Sequence, residues 1–171
     1  VKMSGSPDYQ EFLVYKRPPG FEFNFPADKK FVWVKADPQH KAYSVAEVLD
    51  DSDDSVVVVR MTDTAEERIV DKEEAHGLNP SKFDGVDDCA QLGYLSEAAV
   101  LYNLKIRYEA KIIYTYSGLF CVAINPYQFF PIYTDEMIKT FTGKRREELA
   151  PHVYAVADES YRNLLSDKKN Q

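Results

Sequence analysis

The side chains best placed to hold a ligand lie close together in the run AINPYQFFPIY, residues 123–133. It leaves an apolar stretch through Asn125-Pro126 and is stiffened by Pro126 and Pro131. An apolar slot with an amide and a phenol at its rim suits a purine. The flat base packs on rings while Asn125 and the Tyr133 hydroxyl exchange hydrogen bonds with its edge. The plainer alternative is that Tyr127, Phe129, Phe130 and Ile132 merely pack this loop onto its domain, and composition alone favours it.

Other candidate chemistry is thinner. A phosphate loop of the form GxxxxGK[ST] needs two glycines five apart. None of Gly5, Gly20, Gly77, Gly85, Gly93, Gly118 and Gly143 has such a partner, and Gly143-Lys144 runs on into Arg145. His40, His76 and His152 lie in unlike contexts and read as surface or capping residues. Lys144-Arg145-Arg146 is followed at once by Glu147-Glu148, which makes a solvated turn a better reading than a phosphate site. Asp50, Asp51, Asp53 and Asp54 crowd one loop without the glycine and terminal glutamate of a calcium loop, so a hairpin tip is expected there. Cys89 and Cys121, the two cysteines, form neither a disulfide framework nor a zinc motif. No catalytic residue and no metal ligand is assigned, and a reducing compartment is the simplest setting.

The elements that must position the 123–133 loop follow from periodicity. The chain has 171 residues, 44% of them hydrophobic and 29% charged, enough to bury a core and close to ordinary globular usage. Its net charge of -7 disfavours nucleic acid as a partner, and no stretch approaches the roughly 18 apolar residues of a membrane span. Residues 7–17 read as a short amphipathic helix stopped by Pro18-Pro19-Gly20. From 30 to 71 the period becomes two, and FVWVKA, AYSVAEVL, SVVVVRMT and ERIVDK predict a small closed barrel. Ser96 caps a helix running to Glu109, with Ala99, Val100, Leu104 and Tyr108 on its packed face. Residues 112–124 form a hairpin turning at Ser117-Gly118. Its second strand, LFCVAI, is apolar throughout and predicts cover on both faces. Thr134 or Asp135 caps a short helix ended by Gly143. Pro151 opens a final helix, with Val153, Val156, Ala157, Tyr161, Leu164 and Leu165 facing inward and Asp158, Glu159, Arg162 and Lys168 outward. The fold class is α+β. The expected organisation is a helix and linker over 1–28, a barrel over 29–76 and a third part over 77–171.

The run YLSEAAVLYNLKIRYEAKIIYTYSGLFCVAINPYQFFPIYTDEMI, residues 94–138, resembles the opening of a myosin motor domain. So do NPSKFDGVDD before it and GKRREELAPHVYAVADESYRNLLSDKKNQ after it, while KFVWVKADP is similar to the SH3-like subdomain that precedes the myosin motor core. The helix ahead of the barrel resembles the conventional two-headed class, of muscle type. The resemblance implies that the hairpin belongs to the motor's central sheet. It also implies that Asn125, Pro126, Tyr127, Gln128, Phe129 and Tyr133 edge the adenine pocket, with Gln128 standing where lysine is common and Phe129 at a variable position. It implies ATP and Mg2+ as ligands of the complete motor, and as partners the rest of the heavy chain, a second heavy chain, light chains and the actin filament. The setting it implies is cytoplasmic and cytoskeletal, in thick filaments if muscle type. It places the phosphate loop just past Gln171 and the switch loops later, so this stretch is expected to be an N-terminal fragment that neither hydrolyses ATP nor binds it or Mg2+ tightly on its own. A reading from another class is a free-standing SH3-like or Tudor-like module whose rings Phe31, Trp33 and Tyr43 take a proline-rich or methylated peptide.

Overall fold

The computed structural model describes residues 9–21, 23, 25–36 and 43–167. Contacts divide them into two compact units. One takes the described parts of 19–84 together with 91–103; the other takes the described parts of 1–18 and 104–171 together with 85–90.

The first unit is built on the predicted strands: β1 (Phe31–Lys35), β2 (Tyr43–Asp50), β3 (Val56–Met61), β4 (Glu67–Asp71) and a two-residue β5 (His76–Gly77). All neighbours are antiparallel, in the order β4-β3-β2-β1-β5. The period of two sends Val32, Val34, Ala46, Val57, Val59 and Met61 into one core, with Val48, Val70 and Ala75 packed around it. Among the described residues no ladder joins β4 to β5. The described strands thus form an antiparallel sheet rather than the expected closed ladder, with Val32 and Val34 of β1 and Val70 of β4 packed in one core. The opposite face of β1 and β2 is covered as well: Trp33 and Val45 pack with Ala98 and Tyr102 of helix α1 (Glu97–Glu109) and with Phe25. Ser96 caps that helix by accepting the Ala99 N–H at 3.2 Å.

The acidic loop is a hairpin tip. Asp50 accepts the Ser52 N–H, Asp53 accepts the N–H groups of Ser55 and Val56, and Asp51 pairs with Lys30 and Lys72. Those two lysines hold the Asp51 carboxyl down at about 2.

The second unit holds the C-terminal part of α1, the antiparallel hairpin β6 (Tyr114–Ser117) and β7 (Phe120–Ala123), and helices α2 (Asp135–Phe141) and α3 (Val153–Asp167). Ser117 pairs with Phe120, so the turn residues are Gly118-Leu119, one position later than expected. A left-handed Gly118 at φ +57° sets the turn there. The cover expected on both faces of β7 is not found: Phe120 is 75% exposed, and Leu119 beside it is more exposed still.

Three helix readings change. Where a helix over 7–17 was expected, the described residues form a single 3-10 turn, Tyr9–Phe12, and positions 7 and 8 lie outside them. Phe12 enters one cluster while Tyr9 and Leu13 enter another, a division that a tight turn serves. The buried face of α1 is Ala98, Ala99, Asn103, Ile106 and Arg107, shifted from the expected one because two polar residues share it. On α3 the stripe expected inside is largely exposed. Asp158 instead accepts the Gly143 N–H at 3.0 Å, and Arg162 donates to the Lys144 carbonyl at 2.8 Å, so polar contacts with the end of α2 decide which way the helix faces.

Arg107 organises this unit. Its buried guanidinium donates to the Gly85 and Tyr114 carbonyls, to Thr115 Oγ1 and to Asp87 Oδ1, all within 2.7–2.8 Å. Gly85, at φ +72°, would place an added Cβ 2.3 Å from the Tyr15 ring, whereas Gly118 has open space. Gly118→Ala is therefore expected to cost about 1–2 kcal/mol, the left-handed penalty alone. Gly85→Ala adds a steric clash to that penalty and is expected to cost distinctly more. Urea denaturation midpoints of the two variants check the order.

Candidate functional site

The 123–133 loop begins where β7 runs out of partners. The Ile124 N–H still reaches the Ile113 carbonyl at 3.0 Å, and Pro126 has no N–H with which to continue. Asn125 then turns the chain: its Oδ1 accepts the Tyr127 N–H at 2.9 Å, and Tyr127 takes a left-handed φ of +50°. With one lone pair of Oδ1 engaged in this Asx turn, Asn125 Nδ2 remains able to donate.

Beyond the turn the loop is nailed down. Phe130 and Ile132 are buried with Ile113 and Tyr114, and the Phe12 ring lies 4.8 Å from that of Phe130. Fully buried His152 grips the loop from the start of α3. Its Nδ1 accepts the Tyr154 N–H at 3.1 Å, which leaves Nε2 to donate to the Ile132 carbonyl at 3.0 Å. The Tyr133 ring sits 5.8 Å from His152 and 6.2 Å from Tyr154, and its hydroxyl meets that of Tyr114 at 2.8 Å. Thr134 caps α2 through the Met137 N–H at 3.4 Å, fixing the far end.

Burial divides the residues that the packing alternative grouped together. Phe130 and Ile132 pack, whereas Tyr127 and Phe129 are 90% and 88% exposed. Asn125, Gln128 and Tyr133 are exposed with them, and Pro126 is half-buried. The result is a rigid loop displaying three rings, two of them phenols, and two amides, able to hold a flat hydrogen-bonding group. The neighbouring titratable groups are held in their neutral forms: burial pushes the Cys121 thiol up, and burial with the Tyr133 contact pushes the Tyr114 phenol up. Burial takes His152 down to about 4.

The basic run has other work. Arg145 pairs with Glu148. Arg146 donates to the carbonyls of Gly118, Leu119 and Phe120 and lies 3.6 Å from the centroid of the Tyr116 ring, clamping the hairpin tip. Among the described residues no three His, Cys, Asp or Glu side chains gather as a metal site. His40 lies outside the described residues, and the ring of His76 is 6.1 Å from that of Tyr43. Tyr114 and Arg107 were not singled out from the sequence, since nothing in residue type or spacing marks a buried phenol or a buried arginine, and Arg146, expected in a solvated charged turn, is bonded to the hairpin tip instead. His152 was read as capping or surface, and it is a buried cap.

The rings expected to make a peptide groove are spent on packing. Trp33 is 7% exposed, Phe31 stacks on Phe25 at 3.9 Å, and the Tyr43 hydroxyl donates to Glu97 at 2.9 Å.

Comparison with known proteins gives one family. The profile described as myosin head (motor domain) matches residues 86–171. A protein named Myosin-3 from Caenorhabditis briggsae is 44% identical over 182 aligned residues, covering 99% of this chain and 9% of the relative. Myosin type-2 heavy chain 1 of Schizosaccharomyces pombe is 48% identical over 144 residues, 84% of this chain and 9% of its own. Myosin-2 heavy chain, non muscle, from Acanthamoeba castellanii is 43% identical over 166 residues, 96% and 11% respectively. The chain thus spans about a tenth of the length of the relatives it matches.

His152 makes the loop's anchorage sensitive to acid. Protonation would put a hydrogen on Nδ1 facing the Tyr154 N–H and charge a buried ring. The native state therefore resists the proton down to about 4, while the unfolded chain takes it up near 6.5. The folded-state value is depressed, so this contribution to stability is whole above 6.5 and is lost as pH falls from 6.5 towards 4. The shift corresponds to roughly 3 kcal/mol. Unfolding free energies of wild type and His152→Gln, compared between pH 7.5 and 4.5, should show a steeper fall in the wild type by an amount of that order.

Proposed function

The chain belongs to the myosin head (motor domain) family, and from that membership we propose that it supplies the N-terminal SH3-like subdomain and the adenine-facing edge of the ATP pocket in an actin-based motor. The pocket edge is made of Asn125, Pro126, Tyr127, Gln128, Phe129 and Tyr133. What supports it is the division of the loop by burial: Phe130, Ile132 and His152 hold it rigid, while the groups suited to a purine face outward. Rings and hydrogen-bonding groups held in advance lose little freedom when a base docks. Asn125 Nδ2 and the Tyr133 hydroxyl fit the hydrogen-bonding edge of adenine, and Phe129 offers ring packing where relatives with a polar or cationic side chain would make a different contact.

ATP and Mg2+ are ligands proposed for the complete motor, and no residue of this chain is assigned to the metal. Hydrolysis requires amides and a lysine at the phosphates and hydroxyls on the metal, groups expected from the remainder of the heavy chain. That remainder, the actin filament, light chains and a second heavy chain joined by a coiled coil are the proposed partners, in a cytoskeletal setting. Relatives named type-2 and myosin-2 support the conventional two-headed class. Muscle type, with its thick filament, rests on the sequence resemblance. The free-standing peptide-binding module is not favoured, because Trp33, Phe31 and Tyr43 are engaged in packing.

In the complete heavy chain, Tyr133→Phe is expected to weaken ATP binding by about 1 kcal/mol and to reduce the preference for adenine over guanine nucleotides. Asn125→Ala, which removes both the Asx turn and the amide, should weaken it at least as much. Titration with ATP and GTP checks both, and wild-type affinity in both variants would leave the loop a packing element. The 171-residue chain alone is expected to show no magnesium- and actin-stimulated ATPase in a phosphate-release assay.

A further inference from the structure

We propose that Tyr114 is a positioning residue for the nucleotide: its buried hydroxyl fixes that of Tyr133, which turns its own proton outward. This rests on the adenine-facing reading of the loop.

Tyr114 lies on β6, pairs across the hairpin with Ala123 and packs with Ile113, Phe130, Ile132 and Cys121. The His152 ring is 5.0 Å from its own. Its hydroxyl has one hydrogen-bond partner among the described residues, the Tyr133 hydroxyl at 2.8 Å. A phenol has a single hydrogen to donate and can accept as well. If Tyr133 donated inward, the hydrogen of Tyr114, a residue only 9% exposed, would be left without an acceptor among the described residues, at the cost of a stranded polar group. If Tyr114 donates, its hydrogen is met, and Tyr133, which is exposed, keeps its proton for water or a ligand. The second arrangement leaves nothing unpaired and is the one the surroundings select.

The consequence runs against what burial alone suggests. Removing the buried hydroxyl should spare the fold, because Tyr133 then turns to water. Removing the exposed one should harm the fold, because it strands the Tyr114 proton. Binding follows a different pattern: without Tyr114 the Tyr133 hydroxyl rotates freely, and a base must fix it at its own expense.

The test compares Tyr114→Phe, Tyr133→Phe and the double variant in the complete heavy chain. Equilibrium titration measures ATP affinity, and amide hydrogen exchange measures protection across β6 and β7. Tyr133→Phe is expected to lower both affinity and hairpin protection about fivefold. Tyr114→Phe should keep protection near wild type yet weaken ATP binding about threefold, since part of one hydrogen bond is lost. The double variant should regain protection and bind no more weakly than Tyr133→Phe, because Tyr114 acts only through Tyr133. Tyr114→Phe with wild-type ATP affinity, beside a weakened Tyr133→Phe, would overturn the positioning role and leave the pocket reading standing. Greater loss of protection in Tyr114→Phe than in Tyr133→Phe would overturn the proton's direction. Wild-type affinity in Tyr133→Phe would overturn the pocket reading and this inference together.

Discussion

A guanidinium cannot be left dry without partners, and the second unit is arranged around meeting that demand for Arg107. Four acceptors from two stretches of chain converge on it: the Gly85 carbonyl and Asp87 carboxylate from the connector, and the Tyr114 carbonyl and Thr115 hydroxyl from β6. Asp87 is half exposed, so the charge is balanced from the solvent side while the guanidinium stays in the interior. Once the connector is held, its neighbours follow. The Asp87 carbonyl accepts the Tyr116 N–H at 2.8 Å, and Asp88 accepts the Gly118 N–H at 3.0 Å, which docks the hairpin at its middle and at its turn.

From β6 the order passes to the loop through side chains. Tyr114 meets Tyr133, and His152 ties Ile132 to the first turn of α3. Arg146 adds a second fastening from outside, its guanidinium bonded to three successive carbonyls at the hairpin tip. Charge-assisted bonds of this kind are stronger than neutral ones and fix direction as well as distance. The outward-facing groups of the loop are thus held by elements that come both before and after it in the sequence, which is how short segments acquire the rigidity a binding edge needs.

The sequence made the barrel strands legible because their side chains alternate with period two and the turns between them are polar, signals confined to neighbouring residues. The rigid 125–133 loop was legible for a similar reason: prolines and an asparagine before a turn act locally. What escaped depended on distant partners. The buried face of α1 includes Asn103 and Arg107, and an apolar-periodicity reading passes over both. The α3 helix shows an apolar stripe to solvent because Asp158 and Arg162 take their partners at the end of α2, a choice no helical wheel contains. The uniformly apolar β7 suggested a covered strand, yet composition reports what a surface would prefer to touch, not what touches it.

Trp33 is the single tryptophan of the chain, and it sits in the barrel unit with the Phe23 and Tyr102 rings at 5.8 and 5.3 Å. Light absorbed only by indole therefore excites a reporter in one unit and none in the other. Its emission colour and intensity follow the polarity around the packed face of β1, so they register whether the cover supplied by Ala98 and Tyr102 is in place. The hairpin and the 125–133 loop hold tyrosines but no indole. Indole emission thus follows the melting of the barrel unit without any label being attached, whereas tyrosines occur in both units.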